Sequence, residues 1–259
     1  MAVNRANEGW WSEFHVAEMA DLFLERKSPN ELTDTVSFLT RHMQLSPGDR
    51  VFDQCCGIGN VSMALAQQGM KCCGVDLCSV YIERAREALV TAALPCEFHC
   101  DDALTFKSPW PCRGAVNWYS SFGYSRDDGT NLQMLLRAFE SLQPGGVYSL
   151  DVPNIPFLIR NFQHFLVRHG VNREGRSVTV IRESRLDLAA GQLLQEWRWI
   201  VESRPADCRY SALRLYMPHQ LTEMLMKAGF VDVKLFGGID DSSLTIDSPR
   251  LLITARKPA

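Results

Sequence analysis

The chain has no apolar run long enough to cross a bilayer, and its first residues lack the hydrophobic core of a signal peptide. No membrane span or secretory route is therefore expected, and the expected location is the cytoplasm. Charge of one sign is not in excess either. Against 30 Asp and Glu stand 27 Lys and Arg, a formal net charge of −3. The basic residues are scattered, which leaves no electrostatic footprint for nucleic acid. Nine cysteines are present but no C-x-x-C pair. Cys55-Cys56 and Cys72-Cys73 are adjacent pairs in a turn and a strand, and Cys96, His99 and Cys100 fall on an extended segment whose side chains alternate faces. No metal site is read from these cysteines; buried, reduced thiols acting as small apolar side chains are expected.

What is present begins with the stretch Val51-Phe52-Asp53-Gln54-Cys55-Cys56-Gly57-Ile58-Gly59-Asn60. It reads as a strand, a glycine-bearing turn and the start of a helix, followed by a second strand closing on Asp76. Gly57 and Gly59 let backbone approach a ligand closely, and Asp76 is placed to accept hydrogen bonds from a ribose diol. The pattern implies a nucleoside-bearing ligand. A dinucleotide site wants G-x-G-x-x-G, which here puts Ser62 in the third glycine's place. Asp53 would repel a pyrophosphate, but it suits the cationic amino-acid end of a sulfonium cofactor. A nicotinamide-dependent dehydrogenase is thereby disfavoured.

Helical spacing is predicted from Glu8 to Lys27, ended by Ser28-Pro29, and again from Glu31 to about Gln44. Strands are predicted at 50–54, 71–76, 96–100, 114–120 and 147–152. Helices are predicted at 60–68, 79–93 and 131–142. After Pro153 the strand–helix rhythm stops. Residues 177–187, 192–202 and 209–216 alternate like antiparallel strands, ahead of a helix at 218–228 and strands at 231–236 and 251–256. The fold class that results is α/β: a Rossmann-like doubly wound seven-stranded sheet. It carries an N-terminal helical cap (1–45) and an antiparallel β insertion (155–216) splitting the core (46–154 and 217–259).

Motif 53–59, with the closing pair "GFVDVKLF … SPRLLITARKP", resembles the class I S-adenosylmethionine (SAM)-dependent methyltransferases over most of the chain, with an antiparallel last strand. Cys55 stands where that family's first motif glycine is usual. The run Asn117-Trp118-Tyr119-Ser120-Ser121-Phe122-Gly123-Tyr124 and the stretch "LRLYMPHQLTEMLMKAGF" resemble an "SFGY" subgroup of bacterial small-molecule methyltransferase-like proteins of natural-product pathways. The overall look of the chain also resembles enzymes of this fold that convert SAM to azetidine-2-carboxylate. The resemblance implies SAM as cofactor. It implies contacts from Asp53, Cys55, Gly57, Gly59, Asp76, Leu77 (on adenine), Asp102 or Asp101, Ala103 and Asn117.

Trp118, Tyr119 and Tyr124 are expected to wall the reacting centre, since a sulfonium is attracted to the face of a π-system; core packing is the alternative for each. Trp10 or Trp11 is expected to close over the crevice, with His15 one turn on, although a lone histidine is more often simply packed. Asn154, after strand five, is the candidate for orienting the substrate, or else a turn residue beside Pro153. Trp197, Trp199, Arg198 and Arg214 sit on the insertion, where one face should cover the pocket. Two reactions remain open: methyl transfer to nitrogen or an acidic oxygen of a small acceptor, and cyclisation of SAM with release of methylthioadenosine. Binding without catalysis is the third possibility. The partner is expected to be a small molecule, with no membrane or nucleic acid; oligomeric state is not read.

Overall fold

The computed structural model describes residues 6–25 and 29–259. The predicted helix end at Lys27 and Ser28, and residues 1–5 of the predicted cap, lie outside the described residues. Five strands and three helices follow one another, with a loop in place of a helix between β3 and β4: β1 (Arg50–Gln54), α4 (Asn60–Gln67), β2 (Lys71–Asp76), α5 (Ser79–Ala92), β3 (Cys96–Cys100), β4 (Cys112–Asn117), α6 (Asp128–Ser141) and β5 (Leu142–Pro153). The chain closes through α8 (Pro218–Lys227), β10 (Val231–Phe236) and β11 (Arg250–Arg256). The sheet order is β10-β11-β5-β4-β1-β2-β3, and β11 runs antiparallel to both of its neighbours. Strand order reverses between β1 and β4, which opens a crevice at their C-terminal ends.

The sheet is buried on both faces, so β1 and β2 are buried almost continuously after their first residues, polar Asp53 and Gln54 included. One face packs Phe38, Leu39 and Met43 of α3 (Pro29–Met43), Leu65 of α4 and Ile82 of α5. The other packs Leu135 of α6 and Leu221 and Leu225 of α8. Cys72, Cys73, Cys96 and Cys112 are buried within these layers as free thiols.

Between β5 and α8 lies a second sheet, β6 (Phe165–Val171), β7 (Ser177–Asp187), β8 (Gln192–Val201) and β9 (Arg204–Arg214), antiparallel throughout. Strand β6 and the short helix α7 (Ile155–Arg160) were not foreseen. Strand β6 is an edge strand exposed along nearly its whole length, so it carries no burial alternation to detect.

The predicted helix 8–27 is broken. Two short helices, α1 (Trp11–Phe14) and α2 (Ala17–Met19), are followed by a π-helical turn at Ala20–Leu24. The breaks let Phe14, Met19 and Leu22 pack against Val178, Val180, Trp197 and Trp199 of the second sheet. The segment is also tied to the first sheet's domain. Arg84 pairs with Asp21 at 2.6 Å, Asn60 donates to the Leu24 carbonyl at 2.7 Å, and Tyr81 donates to that of Val16. Strand β4 stops at Asn117, not Ser120, because Tyr119 and Ser120 both adopt left-handed backbone (φ 66° and 72°).

Candidate functional site

The crevice between β1 and β4 is roofed by the N-terminal segment and the second sheet, and encloses about 540 Å³. Its floor is the β1–α4 turn. Cys55 holds a left-handed conformation (φ 60°), as do Gly57 (φ 56°) and Gly59 (φ 81°). That geometry is normal for glycine and costs other residues about 1–2 kcal/mol, so Cys55 is a strained residue at a glycine's place. A Cβ on Gly59 would sit 2.5 Å from the Phe98 ring. Gly59 is therefore required for packing behind the turn, and it does not line the cavity.

Asp76 organises the turn's rim. It accepts hydrogen bonds from the Gly57 amide (2.8 Å) and the Cys78 amide (2.9 Å) while lining the cavity. Burial raises its pKa, against the pull of those two bonds. Asp53 is more deeply set. Burial pushes its carboxyl up to about 7, opposed by the 2.6 Å hydrogen bond from the Ser62 hydroxyl and reinforced by the charge of Asp76. Leu77, Asp102 and Ala103 line the cavity beside Asp76, whereas Asp101 caps the Asp102 amide and stays outside. One carboxylate oxygen of Asp102 accepts from the Leu104 amide at 2.8 Å.

Trp118, Tyr119 and Tyr124 line the cavity wall above β4. The strained Tyr119–Ser120 turn is held by Asp151 of β5: its carboxylate accepts from the Tyr119 amide (3.0 Å) and its carbonyl from the Ser120 amide (3.1 Å). Arg250 of β11 pairs with the same carboxylate at 2.6 Å. Trp10, Trp11 and His15 come from the N-terminal segment. Trp10 donates to the Tyr124 carbonyl, and its ring lies 4.8 Å from that of Tyr124 and 5.0 Å from Phe14. His15 stacks 6.1 Å from Tyr124; burial lowers its pKa to about 4, so it is neutral at ordinary pH.

Besides Gly59, two sequence candidates are placed elsewhere. Asn117 is fully buried behind the wall, donating to Gln54 with Cys55 at 4.0 Å, and does not line the cavity. Asn154 is turned the other way. Its amide donates to the carbonyls of Thr245 and Ser248, both at 2.8 Å, and so anchors the loop before β11. Its contacts are those of a loop anchor, because the chain turns at Pro153 before Asn154 could face the crevice.

The second sheet supplies what the sequence left open. Its cavity face carries Arg182, Leu193, Gln195, Trp197, Ser211 and Leu213; Trp199 follows on the same face of β8, packed under the N-terminal segment. Arg198 and Arg214 project from the opposite face, paired with Glu196 and Asp128. Only the strand register could show this, since alternation gives two faces without saying which is covered. Among the described residues no group of three or more His, Cys, Asp or Glu is gathered to hold a metal, and no helix is long and apolar enough to cross a membrane.

Residues 51–146 match the family model described as a methyltransferase domain. Over 61 residues the chain is 41% identical to the tRNA (uracil-5-)-methyltransferase homolog A of Mus musculus, covering 23% of this chain and 10% of that protein. Over 118 residues it is 28% identical to the S-adenosyl-L-methionine-dependent Diels-Alderase iccD of Talaromyces variabilis, covering 42% of this chain and 37% of that one. The chain thus spans about a tenth and about a third of these relatives. Among solved structures it is similar to the CcbJ methyltransferase of Streptomyces caelestis, with TM-score 0.77, 16% identity, and 96% and 98% of the two chains covered. It is also similar to the sugar N-methyltransferase KedS8 of a Streptoalloteichus species, with TM-score 0.74, 17% identity, and 95% and 94% covered.

Proposed function

We propose, from the premise that this chain has the class I SAM-dependent methyltransferase fold with a methyltransferase domain at residues 51–146, that it is an enzyme moving a methyl group from SAM to nitrogen or an acidic oxygen of a small acceptor. The observation that carries the reading is the cavity, about 540 Å³ lined by two distinct sets of residues. The floor set suits the cofactor. Asp76 presents carboxylate oxygens to a ribose diol, and Leu77, Asp102 and Ala103 flank the place for adenine. The buried Asp53 offers an anion to an amino-acid ammonium, and Tyr119, Tyr124 and Trp118 offer π faces to a sulfonium. When bound, SAM supplies an electrophilic methyl on a cationic sulfur with a neutral thioether as leaving group.

The roof set, from the N-terminal segment and second sheet, lies beyond the floor residues that suit the cofactor, and this supports an acceptor. Roof and floor together exclude water and hold the acceptor in line. His15 is neutral and its buried Nδ1 has no partner among the described residues. It can take a hydrogen bond or proton from an acceptor N–H or O–H. On this reading residues 6–25 and 155–216 form the substrate side of the enzyme and 46–154 with 217–259 the cofactor side, while α3, assigned to the N-terminal cap from sequence, packs on the core sheet. The near-neutral charge supports a small molecule over nucleic acid as partner. The names of the sugar N-methyltransferase and Diels-Alderase relatives support a setting in specialised metabolism.

Ring closure is the second reading, favoured by the aromatic enclosure of Trp10, Trp118, Tyr119 and Tyr124. There the amino acid's own nitrogen would attack its γ-carbon, the C–S bond would break, and methylthioadenosine and a proton would leave. Incubation with SAM followed by mass spectrometry separates the two. S-adenosylhomocysteine formed only with added acceptors supports methyl transfer, and methylthioadenosine formed from SAM alone supports cyclisation. Neither product would leave the chain a binder without catalysis.

A further inference from the structure

The cavity is electrically two-ended. Its carboxylates, Asp53, Asp76 and Asp102, all lie on the floor. The roof carries Arg182 of β7, a cation that no carboxylate among the described residues pairs with, and residues 1–5 and 26–28 contain no Asp or Glu. Its neighbours differ in this respect. Arg250 is paired with Asp151 at 2.6 Å, Arg214 with Asp128 at 3.1 Å, and the adjacent Glu183 points to the far face, beside Arg198 and His164. Burial lowers the pKa of Arg182, and no nearby anion offsets it.

The surroundings fix the guanidinium without satisfying it. Arg182 lies opposite Trp197 in the β7–β8 register, with its guanidinium 5.2 Å from the indole centroid. The nearby polar groups are engaged with one another: Trp197 donates to Ser211 (3.1 Å) and Gln195 to Ser184 (3.2 Å). The Nε of Arg182 is buried with no acceptor among the described residues. A buried N–H left without a partner costs about 1–3 kcal/mol, and a planar guanidinium fork matches a carboxylate's two oxygens. A single cation among Leu193, Leu213 and Trp197 suits a monoanion on an apolar body better than a doubly charged phosphate.

We propose that Arg182 anchors a carboxylate in the roof half of the cavity, so that the molecule this half takes is a carboxylic acid carried as its anion. The proposal rests on the reading that SAM occupies the floor. Two molecules can present that carboxylate: the acceptor, or SAM through its own α-carboxylate.

Calorimetric titration of the wild-type protein, Arg182→Met and Arg182→Lys decides the matter, with thermal melts checking that each variant is folded. The probes are SAM against decarboxylated SAM, and phenylacetate against its neutral amide in the presence of S-adenosylhomocysteine. If the acceptor supplies the anion, wild type binds phenylacetate at least about tenfold tighter than the amide. Arg182→Met then erases the preference, Arg182→Lys keeps part of it, and SAM affinity changes less than about twofold. If SAM supplies it, Arg182→Met weakens SAM about tenfold or more and leaves decarboxylated SAM unaltered. Wild-type protein showing neither preference, or a preference that survives Arg182→Met, overturns the proposal. The wild-type comparisons hold even if a variant fails to fold. Wild type that binds neither SAM nor S-adenosylhomocysteine defeats the cofactor reading instead, and phenylacetate against its amide without cofactor then decides for Arg182.

Discussion

Asp53 is where assay pH meets ligand affinity. Its carboxyl is held at about 7, mainly by burial, so the ligand-free protein keeps a proton there up to neutrality. A cationic sulfonium and ammonium need the anion instead, so SAM binding is coupled to loss of that proton. A group with a pKa near 7 is ionised in roughly one molecule in eleven at pH 6 and ten in eleven at pH 8. SAM affinity is therefore expected to be about tenfold, or about 1.4 kcal/mol, weaker at pH 6 than at pH 8. His15, lowered to about 4, keeps a constant charge across this window. Calorimetry at pH 6 in two buffers of different ionisation enthalpy should count close to one proton released per SAM bound. Asp53→Asn should flatten the pH dependence, which separates Asp53 from Asp76. A wild-type affinity that is level from pH 6 to pH 8, or a slope that persists in Asp53→Asn, would refute the coupling. The same shift has a stability counterpart. The folded pKa lies above the ordinary 3.8, so between about pH 4 and 7 the folded state holds a proton that the unfolded chain has lost. Stability of the ligand-free protein should fall as pH rises through that interval.

Asp76→Ala should weaken S-adenosylhomocysteine binding by about 1.5–3 kcal/mol, the range for hydrogen bonds to a charged group, as read by titration calorimetry; unchanged affinity would place the ribose partner elsewhere. Cys55→Gly should relieve about 1 kcal/mol of left-handed strain and leave the melting temperature level or raised, and a clear fall would show that thiol packing dominates. Asn154→Ala should cost about 1–3 kcal/mol in urea unfolding, because it strips one buried and one part-buried carbonyl of their donor. The same variant should bind S-adenosylhomocysteine within about twofold of wild type; a large loss of binding would restore Asn154 to the site.

The first sheet was legible because its strands are buried on both faces and each ends on a distinct signal. The boundaries of β1, β2 and β3 are as read, as is the antiparallel β11. The floor carboxylates Asp53 and Asp76 follow from the same logic, since a residue at a parallel strand's C-terminal end has one place to be. What was not legible depends on partners distant in sequence. The break in the helix predicted over 8–27 is set by packing on Trp197 and Trp199, some 180 residues later in the chain. The left-handed pair Tyr119–Ser120 is set by Asp151. Asn154 looked polar and well placed, yet its direction is decided by a loop whose carbonyls would otherwise lack donors.

The interior position of β11 bears on how the chain is built. With residues up to 249 synthesised, β5 still has a bare edge and β10 has no neighbour to join. Completion of the sheet therefore waits on residues 250–256, and Arg250, which steadies the Tyr119–Ser120 turn through Asp151, arrives with them. While residues 154–249 are being added, a nascent polypeptide of this kind carries an exposed, pairing-competent border, a period in which holdase chaperones have the most to shield.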